Sequence, residues 1–259
     1  MGAPRRPSVT ARSYPGHVTG PLKGLVVDWG GVLTPSLDAA MSSWARADGV
    51  DFEHFRDVMR AWVGPRAGDQ PDEAPVALLE QAPDAGSAGL SPVHRLERGE
   101  IDPAEFEAEL ADRLAERGSP VAAQGLLGRL LAGLAELDAG MVGIVRRAHD
   151  AGVRTALLSN SWGDHYPDEL WDGLFDAVVI SGRVGMRKPD PEIFQHTVQL
   201  LGLEPGECVM VDDLPHNIRA AVAAGMVGVL HTNVDSTRGE LEVLFDRRLG
   251  PDGVQSQGA

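Results

Sequence analysis

The stretch KGLVVDWGGVLTP (residues 23–35) decides how the rest of the chain is read. Leu25, Val26 and Val27 form a short apolar run, Asp28 ends it, and Trp29 and the pair Gly30 and Gly31 follow. A run too short for a helix and closed by glycines predicts a buried strand entering a tight turn. The acid at its end has two readings. It can accept hydrogen bonds from the amides of the turn, or it can stand at a ligand site, because open parallel sheets bind ligands outside the carboxyl ends of their strands.

The C-terminal half supplies the sheet. AGMVGIVRRAHDAG (139–152) has helical periodicity and stops at Gly152, and VRTALLSN (153–160) is apolar without alternation, as a strand buried on both faces must be. A helix near 166–174, a strand at 176–181, a helix at 191–202, a strand at 208–213, a helix at 215–225 and a strand at 227–231 follow. Alternating strands and helices predict an α/β fold, a doubly wound parallel sheet of Rossmann-like type. The strand at 24–28 belongs to the same sheet, so residues 37–138 read as an insertion of helices at 37–48, 51–63, 103–118 and 122–137, with an irregular loop at 64–90. The expected organisation is a mobile tail at 1–20, a core built from 21–36 and 139–250, an all-helical cap at 37–138, and a second mobile tail at 251–259. A module inserted after the first strand would lie over the sheet's ligand crevice as a lid.

Composition narrows the partners. A formal charge of −15 speaks against non-specific nucleic-acid or anionic-membrane binding, which need a basic face. The single cysteine, Cys208, permits no internal disulfide and fits a reducing compartment. The first twenty residues hold arginines but no apolar signal core, and the most hydrophobic window (121–137) is short and contains Arg129 and Glu136. A soluble, cytoplasmic protein with no membrane or nucleic-acid partner is expected. Oligomeric state is not readable from the sequence, and a homo-oligomer is compatible with it.

The predicted strand ends carry Asp28, Ser159 with Asn160, and Asp212 with Asp213, while Lys188 lies in GMRKPDPEIF before a helix that Asp190 and Pro191 would start. Singly, each has an ordinary explanation: Asp28 or Asp213 as a turn or cap acceptor, Ser159 or Ser161 as a helix cap, Lys188 as a solvated cation. Together they converge on one edge of one sheet. Three carboxylates held close repel one another and call for a cation, and oxygen ligands favour a hard ion such as Mg²⁺. Lys188 and the Ser159 hydroxyl would then bind the remaining oxygens of a small phosphorylated substrate. An aspartate beside a polarised phosphorus can attack it and form an aspartyl-phosphate that water hydrolyses. Histidine spacing and the lone cysteine argue against zinc.

VVDWGGVLT, ALLSNSW, GMRKPDPEIF and VMVDDLPHNIRAA resemble, in order, the four motifs of the haloacid dehalogenase superfamily. The details are most similar to sugar-1-phosphate phosphatases and to the phosphatase domain of soluble epoxide hydrolases. The resemblance implies an Mg²⁺-dependent phosphatase, a phosphoric monoester hydrolase, with a helical cap. It further implies Asp28 as nucleophile, Ser159 as phosphate-binding hydroxyl and Lys188 as the cation steadying both. Asp213 becomes a metal ligand together with Asp28, Asp212 acts through a metal-bound water, and the Gly30 carbonyl completes the set. Asn217 would orient the fourth motif, towards Lys188. Trp29 and Trp162, next to the first two motifs, are expected to line the pocket together with Asn160, although a core plug explains Trp29 equally well. Trp44, His54, Trp62, Arg66 and His94 of the cap could face the cleft, although packing explains each as readily.

One departure stands out. The phosphatase pattern has a second acid two residues after the nucleophile, where this chain has Gly30. An acidic leaving group, such as an anomeric hydroxyl, would tolerate its loss. The alternatives are a haloacid dehalogenase, which needs no metal, and a catalytically weak relative that binds a phosphorylated ligand or a protein.

Overall fold

In the computed structural model, residues 21–63, 91–163, 166 and 173–250 are described. Five strands, β1 (Gly24–Val27), β2 (Arg154–Ser159), β3 (Ala177–Ile180), β4 (Cys208–Asp212) and β5 (Val227–Leu230), form one sheet in the order β3-β2-β1-β4-β5. Every pairing is parallel. The central strand is the one read from residues 24–28, and all of its residues are buried.

Successive side chains of a strand face opposite ways, and here both ways are covered. Leu25 and Val27 join Leu157, Val209 and Val211 against Met141, Ile144 and Val145 of helix α6 (Ala139–Asp150) and Leu241 of α10 (Val234–Phe245). Val26 joins Ala156, Leu158 and Met210 against Ile193, Phe194 and Val198 of α8 (Pro191–Leu200) and Ala221 of α9 (Pro215–Ala223). This double cover explains why the strands lack polar alternation. A short helix, α7 (Ser181–Val184), follows β3 directly.

The register positions the strand ends. Val27 pairs with Leu157 on one side and with Val211 on the other. Asp28 therefore leaves the sheet level with Asp212, and its amide still donates to the Val211 carbonyl at 3.0 Å.

Between β1 and α6 lie α1 (Leu37–Asp48), α2 (Phe52–Val63), α3 (Pro92–Glu97), α4 (Pro103–Glu116) and α5 (Leu126–Leu131), called the cap below. Ser36 starts α1 by accepting from the Ala39 amide, and Gly49, at φ +70°, ends it. The cap helices bury their own cluster, in which Phe55, Phe106, Leu110, Leu127 and Leu130 are sealed from solvent. The Phe106 ring lies 5.3 Å from Trp62 and 5.9 Å from Trp162, centroid to centroid. The chain enters and leaves the cap at one place, since the Asp138 amide donates to the Leu33 carbonyl at 2.8 Å.

Three details differ from the sequence reading. The stretch at 122–137 is not one helix: α5 begins only at Leu126, followed by a 3-10 turn at Ala132–Leu134. The Glu107 carboxylate accepts from the amides of Gly125 and Leu127, at 3.0 and 2.9 Å, and fixes that later start. Helix α3 was not anticipated, and its six residues are too few for a helical period to show. Neither was α10, which buries a single stripe of Thr237, Leu241 and Phe245, one of them polar. The tails at 1–20 and 251–259, the loop at 64–90 and most of the helix near 166–174 lie outside the described residues. No helix among the described residues is long and apolar enough to cross a membrane.

Emptying the centre of the cap cluster should be costly. Phe106→Ala is expected to lower stability by about 3–5 kcal/mol, read as a shift in the denaturant midpoint. A loss below about 1 kcal/mol, outside the range for large-to-small core changes, would contradict this packing.

Candidate active site

The turn after β1 is built around Asp28 and Trp29. Asp28 Oδ1 accepts from the Trp29 amide at 2.7 Å. The Trp29 carbonyl in turn accepts from the Leu33 amide at 2.9 Å and from the Thr34 hydroxyl at 3.2 Å. The two glycines of this turn differ. Gly31 has φ +75°, and a Cβ there would lie 2.1 Å from Asp213 Oδ2, so the approach of Asp213 requires glycine. A Cβ at Gly30 would meet nothing within 4 Å.

Lys188 joins the strand ends. Its Nζ lies 2.9 Å from Asp28 Oδ1 and 2.7 Å from Asp212 Oδ2, with 1% of the side chain exposed. Asn160 grips the Lys188 backbone from both sides, accepting from its amide at 2.8 Å and donating to its carbonyl at 3.0 Å. The carboxamide of Asn160, expected to contact substrate, is thus engaged with Lys188. Asp212 is held by the Leu214 amide at 2.9 Å and by Asn217 Nδ2 at 3.1 and 3.2 Å. Asn217 thus orients Asp212 of the fourth motif, whose Oδ2 accepts from Lys188 Nζ.

Asp28, Asp212 and Asp213 offer oxygens that all lie within 4.8 Å of one another. One ammonium cannot neutralise three carboxylates. Burial pushes the Asp28 carboxyl up to about 7, against the pull of Lys188 and with a further push from Asp212. Burial, together with Asp212 and Asp28, pushes Asp213 up to about 8. The chemistry of this donor set, oxygen alone and short of positive charge, fits a hard divalent cation.

Ser159 ends β2 with its hydroxyl 2.8 Å from the hydroxyl of Tyr166, whose ring meets Trp29 edge-on at 5.7 Å between centroids. Tyr166 was missed by sequence reasoning, because its spacing from Ser159 follows no period. Trp29 is buried in the sheet's apolar cluster. Trp162 is 4% exposed and packs in the cap cluster, its indole N–H donating to Glu97 Oε1 at 3.1 Å. Trp29 is thus packed as a core plug, one of its two readings, and Trp162 inside the cap cluster in place of the pocket wall expected of it. Of the cap residues weighed for the cleft, Trp44 and His94 are buried, Trp62 packs against the cap cluster, and His54 Nδ1 lies 2.9 Å from the Ser119 hydroxyl. Arg66 lies outside the described residues.

An α/β sheet carrying this cluster at its carboxyl edge defines a class, and comparison with known proteins agrees. The family model for haloacid dehalogenase-like hydrolases matches residues 22–225. The chain belongs to that family and is an enzyme of the hydrolase class. It is 34% identical over 155 residues to a sesquiterpene phosphatase of Aspergillus oryzae, covering 58% of this chain and 77% of that one. It is 32% identical over 151 residues to a flavin mononucleotide hydrolase of Arabidopsis thaliana, covering 57% of this chain and 60% of that protein's length. Among solved structures, a haloacid dehalogenase family enzyme of Bacteroides thetaiotaomicron superposes with a TM-score of 0.56 at 20% identity, over 82% of this chain and 95% of the other, a likeness of fold.

The charge imbalance makes a prediction. Asp28 and Asp213 titrate in the folded chain at about 7 and about 8, above their ordinary 3.8. Without a divalent cation the folded state holds protons that the unfolded state has released. Their contribution is fully present below the ordinary carboxylate value and is lost as pH rises through 7 to 8. A bound cation needs both ionised and removes that loss. Added Mg²⁺ should therefore raise the melting temperature more at pH 8 than at pH 5, and equal shifts would argue against binding at these carboxylates.

Proposed function

We propose that this enzyme is a divalent-cation-dependent phosphatase acting on a small phosphomonoester, sugar phosphates included, with Asp28 as nucleophile. The observation that carries the reading is Lys188 joined to both Asp28 and Asp212, beside Asp213, at the carboxyl edge of the sheet. A haloacid dehalogenase needs no metal, and the paired acids Asp212 and Asp213 speak against it. The names of relatives, a sesquiterpene phosphatase, a flavin mononucleotide hydrolase and an N-acylneuraminate-9-phosphatase, have phosphate ester hydrolysis in common and differ in the organic group. That contrast supports phosphate recognition in the core and substrate choice elsewhere, in the cap.

In this reading Asp28, Asp213 and Asp212, with the Gly30 carbonyl, would hold Mg²⁺. Bound there, the ion would neutralise charge on the transferring phosphoryl oxygens. Lys188 draws the Asp28 carboxyl towards its ionised form, against burial, and offers a cation to the phosphoryl group. The Ser159 hydroxyl, oriented by Tyr166, donates to a second phosphoryl oxygen. An Asp28 oxygen bonds to phosphorus as the bond from phosphorus to the ester oxygen breaks. The departing oxygen takes its proton from water. A second water then attacks phosphorus of the aspartyl-phosphate, releasing inorganic phosphate and restoring the carboxylate.

Gly30 supports a qualification: a family member without the second acid lacks general acid help, typically worth ~10²–10⁴-fold. The enzyme should therefore favour leaving groups of low basicity. A weak relative that binds a phosphorylated ligand without turning it over is the second reading that Gly30 favours.

The test is phosphate release from a panel of sugar phosphates and 4-nitrophenyl phosphate. Mg²⁺-dependent turnover should vanish with chelator and in Asp28→Asn. Gly30→Asp puts its Cβ where nothing lies within 4 Å, and should accelerate ordinary alkyl phosphates by at least about tenfold, a part of the range for acid–base help, while barely changing 4-nitrophenyl phosphate. No turnover on any substrate, with inorganic phosphate still binding, would transfer the reading to a ligand-binding relative.

A further inference from the structure

Glu97 ends helix α3 of the cap, yet its carboxylate is fully buried against the core. Its Oε2 accepts from Arg187 Nε at 2.6 Å, and both side chains are 0% exposed. Its Oε1 accepts from the Trp162 indole at 3.1 Å. Arg187 directly precedes Lys188, and Trp162 follows Ser159 by three residues. One cap carboxylate thus grips both loops that carry the phosphate-facing groups.

The next two residues extend the grip. Arg98 pairs with Asp190 at 2.9 Å, just past Lys188. Gly99 approaches Gly182 so closely that a Cβ on it would lie 2.5 Å from the Gly182 carbonyl oxygen. Residues 187–190 are consequently held between Asn160 of the core and Glu97 with Arg98 of the cap. Withdrawing Glu97 would break a buried ion pair with Arg187 and its bond to the Trp162 indole, contacts that water would have to replace. Residues 97–99 therefore tie the cap to the loop that carries Lys188.

We propose that Glu97 is a positioning residue: through Arg187 it seats Lys188 between Asp28 and Asp212, so that docking of the cap and assembly of the phosphate site are one equilibrium. The catalytic consequence rests on the phosphatase reading; the coupling itself does not.

Two readouts separate these. Hydrogen exchange measures the coupling with no substrate, and turnover of 4-nitrophenyl phosphate with Mg²⁺ measures its consequence. Glu97→Gln keeps an acceptor for Trp162 and removes the charge facing Arg187. It should speed exchange in peptides covering 158–163 and 186–190 together by about tenfold, while the β4 peptide at 208–212 stays as in the wild type. It should also lower kcat by about tenfold or more with KM within about threefold, the mark of an interaction that matters in the transition state. Glu97→Asp, which retains the charge, should recover a larger share of kcat than Glu97→Gln. Arg98→Gln, at the less buried arm of the clasp, guards against a fold too damaged to read, and should speed exchange at 186–190 alone by a smaller factor. Phe55→Ala, which loosens the cap at rings packed on Trp44 and Phe52, away from Trp162, is the comparison for a merely structural effect. Faster exchange confined to residues 92–98, or a kcat that falls only in step with the folded fraction as in Phe55→Ala, would overturn the proposal. Absence of turnover in the wild type would remove the phosphatase reading and leave the exchange pattern to decide the coupling.

Discussion

The ammonium of Lys188 is the constraint from which the rest of the site follows. A charge almost wholly removed from water is tolerable only with counter-charges in good geometry, and Lys188 has two, Asp28 and Asp212. Holding those carboxylates in place needs further groups: the Trp29 amide on Asp28, and Asn217 with the Leu214 amide on Asp212. Holding the lysine needs Asn160 on its backbone. Each polar group in the site is placed by another, so the chemistry is organised before any ligand arrives. Asp213 adds a carboxylate that this arrangement does not neutralise, and that surplus supports the proposed cation.

The glycine pair after Asp28 shows how differently two identical neighbours can be constrained. Gly31 is imposed, because its backbone is left-handed and Asp213 fills the space of a side chain. Gly30 is not imposed, since the space beside it is open. Packing therefore does not account for the missing acid. In the proposed phosphatase reading its absence bears on the leaving group.

The parallel sheet and the ordered strand ends were legible in the sequence because both depend on short patterns: apolar runs without alternation, each ending in a polar residue. Asp28, Asp212 and Asp213 could be collected on that basis alone, and Lys188 from its place before the helix that Pro191 starts. What was not legible depends on which surfaces meet. Trp162 stands beside Ser159 in sequence and suggested a pocket wall, but its ring is drawn into the cap cluster by Phe106 and its N–H by Glu97. Glu97 looks like an ordinary acid at the end of a short helix, and nothing near it predicts a partner ninety residues away. Asn160, beside Ser159, carried no sign that it would serve the backbone of Lys188. Helix α10 hid its buried face because that face is one narrow stripe including a threonine.

The place of β1 at the centre of the sheet also bears on how the chain acquires its fold. Gly24 pairs with Arg154 on one side and with Cys208 on the other, so the strand made first waits for partners that emerge much later. Contacts of such long sequence separation form slowly. The cap helices, made in between, meet near neighbours and have their partners sooner. During synthesis an apolar strand thus stays unpaired while a helical module assembles behind it, a window in which association with other chains competes with folding. The brevity of β1, four residues closed by Asp28 and two glycines, limits what such a strand can recruit.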